Sequence, residues 1–213
     1  MFRSLSSVGV IPVVAVESGD QAKRLCEALL AGELNVAEIT FRTDAAEAAI
    51  REAVAAFPEM TIGAGTILTV DQLQRAIDAG AAFGVAPGCN SNILEAALER
   101  SFSFAPGVCT PSDVERAYEL GITDLKFFPA EASGGIALLK ALLGPYGHLD
   151  LSFCPFGGIK PANMQAYLAL PQVDVVGGSW LAKKDMVAAG KWDDITALAK
   201  EAVDLAREVT SVD

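Results

Sequence analysis

Val8-Gly9-Val10-Ile11-Pro12-Val13-Val14-Ala15-Val16 runs almost directly into Ser18-Gly19-Asp20. A run without polar alternation is the signature of a strand covered on both faces. Ser18 followed by Asp20 suits the start of a helix, where side-chain oxygens satisfy free N–H groups. The same unit then recurs. Further apolar runs stand at Val36–Phe41, Thr61–Ile67, Phe83–Pro87, Phe102–Val108, Asp124–Pro129, Leu151–Gly157 and Val173–Gly178, which makes eight. Helix starts are expected at Thr43-Asp44, Thr69-Val70-Asp71, Asn90-Ser91-Asn92, Thr110-Pro111-Ser112-Asp113 and Lys160-Pro161, with a last helix over about Asp193 to Arg207. Pro111 and Pro161 fit a first helical turn, where a missing N–H is no loss.

Strands alternating with helices pair in parallel through right-handed crossovers. Eight such units predict an α/β protein of the (β/α)8 TIM-barrel class, with a doubly wound open sheet as the alternative. No linker or composition shift divides the 213 residues, so residues 1–213 are expected to form one barrel domain. The connections are short, and such a barrel is expected to complete its packing or its site against another subunit.

Composition narrows the function. With 52% hydrophobic and 20% charged residues, the chain can bury a large core. A net charge of −11 offers no basic face to nucleic acid or to an anionic membrane. No apolar run reaches the ~20 residues of a membrane span, and the N-terminal segment is too short for a signal peptide. The protein is therefore read as soluble and cytoplasmic. Cys26, Cys89, Cys109 and Cys154 are scattered and read as small core residues in a reducing compartment. His148 is the one histidine, in a Gly144-Pro145-Tyr146-Gly147-His148 segment that reads as a turn. A multi-histidine metal site is thereby excluded, and no metal is expected.

Against this background Lys126 stands out. It lies in Asp124-Leu125-Lys126-Phe127-Phe128-Pro129, otherwise a buried strand. Burial in apolar surroundings disfavours a charged ammonium, and a neutral lysine attacks ketones to form a Schiff base. The alternative is a lysine whose stem packs while its head reaches water. Polar residues at the other strand ends bear on the choice, since barrel enzymes work at those ends. In the second strand Glu38, Thr40 and Arg42 alternate and point to the barrel interior. A buried glutamate is a candidate base, or else one half of a Glu38–Arg42 ion pair. The third strand ends Gly63-Ala64-Gly65-Thr66 and the fourth Val85-Ala86-Pro87-Gly88. Phe156-Gly157-Gly158 and Gly177-Gly178-Ser179 close the seventh and eighth strands, where barrels commonly bind phosphate.

The blocks Glu38-Ile39-Thr40-Phe41-Arg42-Thr43, Gly63-Ala64-Gly65-Thr66, Lys126-Phe127-Phe128-Pro129-Ala130-Glu131, Pro155-Phe156-Gly157-Gly158-Ile159 and Gly177-Gly178-Ser179-Trp180 together resemble a known family. It is the 2-keto-3-deoxy-6-phosphogluconate (KDPG) and 4-hydroxy-2-oxoglutarate (KHG) aldolases of class I. The resemblance implies a homotrimeric (β/α)8 barrel. It implies a Schiff base on Lys126, proton transfer by Glu38, and no cofactor beyond that covalent adduct. It further implies that Arg42 and Thr66 hold the carboxylate of a 2-keto acid and that Pro87 lines the pocket. Gly157, Gly158, Gly178 and Ser179 would hold the phosphate of a phosphorylated substrate. Phe156 stands where the family usually has threonine, beside the distal part of the substrate. The chain begins close to its first strand, so the family's leading helix is expected to be shortened or absent. Alternatives of the same chemistry are a 2-keto-3-deoxy-6-phosphogalactonate aldolase and an oxaloacetate decarboxylase. Outside that chemistry stand a phosphate-binding barrel that isomerises or condenses a sugar phosphate, with Lys126 only an electrostatic anchor, and a non-catalytic keto-acid-binding barrel.

Overall fold

A computed structural model describes residues 1–210; residues 211–213, the end of the expected domain, lie outside the described residues. Eight strand positions appear where the apolar runs stand, each a little shorter than its run. They are β1 (Val10–Val14), β2 (Val36–Thr40), β3 (Thr61–Gly65), β4 (Phe83–Val85), β5 (Phe104–Ala105) with β6 (Gly107–Val108), β7 (Asp124–Phe127), β8 (Ser152–Pro155) and β9 (Val176–Gly178). All pairings are parallel. One sheet runs β5-β4-β3-β2-β1-β9 and another β6-β7-β8.

Pro106 is the reason for the two sheets. Proline has no N–H for a ladder, so the fifth strand divides there into β5, which pairs with β4, and β6, which pairs with β7. The Pro106 carbonyl still accepts from the Lys126 amide at 2.9 Å, so the chain stays continuous across the break. On the other side Phe156 bridges Gly177 and joins β8 to β9. The ring thus closes as a barrel, not as the alternative open sheet.

The helices are α1 (Gly19–Ala31), α2 (Ala46–Ala56), α3 (Val70–Asp78), α4 (Ser91–Glu99), α5 (Pro111–Glu119), α6 (Ala130–Ser133), α7 (Gly135–Tyr146), α8 (Pro161–Leu168), α9 (Lys184–Ala188) and α10 (Trp192–Thr210). Ser18, Thr69 and Asn90 cap α1, α3 and α4, and Thr110 with Asp113 forms a capping box on α5. Thr43 does not cap α2. Its hydroxyl donates to the Val16 carbonyl at 2.7 Å, and the helix begins three residues later. The expected turn at Gly144-Pro145 is the end of α7, and His148 lies exposed just beyond it. The last helix α10 packs against α1 and α8, beside the start of the helical ring.

Ahead of β1 the chain forms one 3-10 turn, Phe2–Leu5. Phe2 is fully buried, and Asp124 accepts from the Met1 ammonium at 2.8 Å and the Phe2 amide at 3.0 Å. This turn covers the end of the barrel opposite the strand C-termini. Inside, rings fill space left by glycines: a Cβ at Gly63 would come within 2.2 Å of the Phe83 ring. Burying each large side chain contributes roughly 1.5–3 kcal/mol. No described helix is long and apolar enough to cross a membrane.

Candidate active site

At the C-terminal ends of the strands lies a cavity of about 330 Å³. It is lined by Glu38, Arg42, Thr66, Pro87, Lys126, Phe156, Gly157, Gly158, Gly178 and Ser179. The ten residues that the resemblance assigns to catalysis or binding are therefore brought to one place, although the strands carrying them are far apart in the chain. Val13, Phe128, Ile159 and Gly177 line it as well. Phe128 sits two residues from Lys126, a spacing that could have been read from the strand period. Val13 and Ile159 carried no chemical signal.

Lys126 and Glu38 form the centre. The Lys126 side chain is 7% exposed and that of Glu38 is 0% exposed, with Nζ 3.5 Å from Oε1. This is an ion-pair distance, and neither Glu38 oxygen has a hydrogen-bond partner among the described residues. Burial pushes the Glu38 carboxyl above its ordinary value, and the charges of Lys126 and Arg42 pull it back only in part. The carboxylate can lie where it does because residue 65 is glycine. A Cβ there would stand 1.8 Å from Oε1. Beside Lys126 in register is Cys154, whose thiol burial pushes well up.

Arg42 departs from its expected place. The strand ends at Thr40, so Arg42 is exposed at the cavity mouth and does not project into the barrel interior. Among the described residues it has no carboxylate partner, so the alternative reading of Glu38 as half of an ion pair with Arg42 is not the arrangement formed. Its Nε donates to Thr40 Oγ1 at 3.1 Å, and that buried hydroxyl donates to the Val14 carbonyl at 2.8 Å. Thr66, at the end of β3, holds φ at +57°, a left-handed conformation costly for a β-branched residue.

Phe156 makes a contact that its place in the sequence did not announce: its ring covers Lys126 Nζ, 4.0 Å from nitrogen to centroid, with the Phe128 ring at 5.6 Å. Beyond it Gly157 and Gly158 adopt φ of +93° and +86°, open only to glycine at low cost. Gly158 and Ser179 are exposed at the rim, and their amides find no backbone acceptor among the described residues. No three His, Cys, Asp or Glu side chains among the described residues gather as a metal site.

A buried amine against a buried carboxylate, with an arginine and glycine-rich amides at the mouth, can form an imine and move a proton beside it. Comparison with known proteins points the same way. The sequence model of the family described as KDPG and KHG aldolase matches residues 3–198. The 2-dehydro-3-deoxy-phosphogluconate aldolase of Pseudoalteromonas atlantica is 45% identical over 194 residues, covering 91% of this chain and 89% of its own. The KDPG aldolase of Legionella pneumophila, with pyruvate captured at low pH as a covalent carbinolamine intermediate, superposes with a TM-score of 0.90 at 36% identity. That match covers 95% of this chain and 98% of the other. The 2-keto-3-deoxy-6-phosphogluconate aldolase of Zymomonas mobilis with 3-phosphoglycerate gives 0.85 at 40% identity, over 94% of each chain. With its barrel, its buried lysine–glutamate pair and these relatives, the chain belongs to the KDPG and KHG aldolase family.

Proposed function

We propose that this protein is a class I aldolase cleaving KDPG to pyruvate and glyceraldehyde 3-phosphate, and KHG to pyruvate and glyoxylate. The observation that carries the reading is Lys126 Nζ held 3.5 Å from a fully buried Glu38 carboxyl within one cavity. Lys126, as the free amine, attacks the C2 ketone to give a carbinolamine, and loss of water gives the protonated imine. Glu38 accepts the C4 hydroxyl proton, directly or through a water. The C3–C4 bond breaks, its electrons pass into the imine, and an enamine remains while the aldehyde leaves. Glu38 gives that proton back to the enamine carbon, and hydrolysis of the resulting imine releases pyruvate and restores the amine.

Arg42 is assigned to the keto-acid carboxylate, which its planar fork can meet with two hydrogen bonds. Thr66 would add its hydroxyl to the same carboxylate, and Pro87 and Phe156 would wall the substrate. Gly157, Gly158, Gly178 and Ser179 are assigned to the phosphate, with backbone amides as donors. The captured pyruvate of the Legionella relative and the 3-phosphoglycerate of the Zymomonas relative support both ends of this assignment. A second substrate is favoured by Phe156: without a hydroxyl there, the galactonate epimer of KDPG is also accepted. A homotrimer is proposed from the family resemblance. Exposed Leu68, Val70, Leu98 and Tyr118 supply apolar surface for it to cover.

The decisive experiment is borohydride reduction in the presence of pyruvate, followed by peptide mapping. A reduced adduct on Lys126, absent from Lys126→Ala, is the expected result. Pyruvate binding without any adduct would make the protein a keto-acid-binding barrel instead.

A further inference from the structure

The loop Phe156-Gly157-Gly158-Ile159 is fastened by its carbonyls. Phe156 O accepts from the Ala130 amide at 2.7 Å, and Gly157 O from the Glu131 amide at 3.0 Å. Gly158 O accepts from Asn163 Nδ2 at 3.2 Å, and Asn163 Oδ1 in turn accepts from the Lys160 amide at 2.8 Å. In a planar trans peptide the C=O of one residue points opposite to the N–H of the next. Each fastened carbonyl therefore turns the following N–H away from α6 and α8. Gly157, Gly158 and Ile159 line the cavity, whereas Glu131 and Asn163 do not. The N–H groups of Gly158 and Ile159 thus face the cavity, and neither has an acceptor among the described residues. Two of the three anchors are backbone amides of α6. The third, on the Gly158–Ile159 peptide, is a single side chain.

We propose that Asn163 is a positioning residue of the anion-binding loop: by holding the Gly158 carbonyl it aims the Ile159 N–H at the substrate phosphate. Ile159 becomes a further amide donor beside the glycines. This rests on the phosphate end of the function proposed above. Asn163 itself touches no substrate, so its effect falls only on ligands that reach the loop. KHG and pyruvate carry no phosphate and are untouched by it.

Asn163→Asp is the discriminating variant. It keeps the acceptor for the Lys160 amide and sits in the first turn of α8, where a carboxylate suits the helix. It loses the donor to Gly158, and its charge opposes the carbonyl. The expected result is a KM for KDPG raised about 3- to 10-fold, one hydrogen bond's worth, with kcat changed less than about twofold. KM for KHG and borohydride trapping with pyruvate stay at wild-type values. Inorganic phosphate is expected to compete with KDPG in the wild-type protein and to compete less well in the variant, by a similar factor. An unchanged KM for KDPG, or equal rises for KDPG and KHG, overturns the inference. If inorganic phosphate fails to compete even in the wild-type protein, the anion reading of the loop falls, and this inference with it.

Discussion

Phe156 lies over Lys126 with its ring centroid 4.0 Å from Nζ, and it can do so because residue 177 is glycine. A Cβ on Gly177 would stand 2.0 Å from the ring's edge. The two positions face each other across the bridge that closes the barrel. Gly177→Ala is therefore expected to destabilise the protein by about 1–3 kcal/mol through overpacking. Combining it with Phe156→Leu should cost less than the sum of the two, since the smaller side chain makes room for the methyl. Urea midpoints of the four proteins measure this, and strict additivity would show that the ring is not held against residue 177.

The same ring sets the chemistry beside the nucleophile. A cation under an aromatic face gains about 0.5–2 kcal/mol, but the ring offers no hydrogen bond to a substrate hydroxyl. A site that does bond a hydroxyl rejects the wrong configuration far better than an apolar wall can. Phe156→Thr is expected to raise the preference for the gluconate over the galactonate epimer by at least about tenfold in kcat/KM, the order a new hydrogen bond supplies. Identical epimer ratios in the two proteins would place the ring out of substrate reach.

Much of this site was legible because its parts are local. Near-continuous apolar runs mark buried parallel strands, and a lysine or glutamate inside such a run is conspicuous. Long-range fits were not legible. Phe156 read as a departure at the distal end, since nothing near it in the chain reveals the glycine 21 residues later that lets its ring lie on Lys126. Arg42 read as interior from its alternation with Glu38, but the strand stops at Thr40, so Arg42 lines the cavity only from its exposed mouth. Helices α6 and α7 gave no start signal. Pro129 and Gly134 precede them, and neither donates a capping side chain. The break at Pro106 follows from proline's missing donor, yet the sequence does not say which neighbour each half would pair with.

Glu38 provides a pH signature. Its carboxyl is raised above 4.5 by burial, so its ionised form, the base, disappears at a higher pH than for an ordinary glutamate. Turnover is expected to fall as pH drops through that raised value. In Glu38→Gln the limb vanishes, the imine with pyruvate still forms, and turnover is about 10²- to 10⁴-fold lower. A raised carboxyl pKa also means that folding favours the protonated form. Its contribution to stability is full below 4.5 and is lost as pH rises through the folded value. The stability of Glu38→Gln relative to the parent should therefore grow with pH over that window. A kcat/KM profile flat to below pH 4.5 would assign the base elsewhere.

Thr66 carries strain at the mouth of the site. Its φ of +57° places a β-branched residue in the left-handed region, a conformation that costs about 1–3 kcal/mol. Replacing it by glycine removes that strain but loosens the unfolded chain by about 0.5–1 kcal/mol. The expected net effect of Thr66→Gly is a stabilisation of roughly 0.5–2 kcal/mol, seen as a higher urea midpoint with an unchanged slope. Function moves the other way. Losing the hydroxyl that would meet the keto-acid carboxylate should raise KM for KDPG and for KHG alike, by about 3- to 10-fold each. Both substrates share that end of the molecule, so an effect confined to one would move Thr66 away from the carboxylate. A variant that is less stable with an unaltered KM would mean that local packing, not substrate binding, keeps threonine in this conformation.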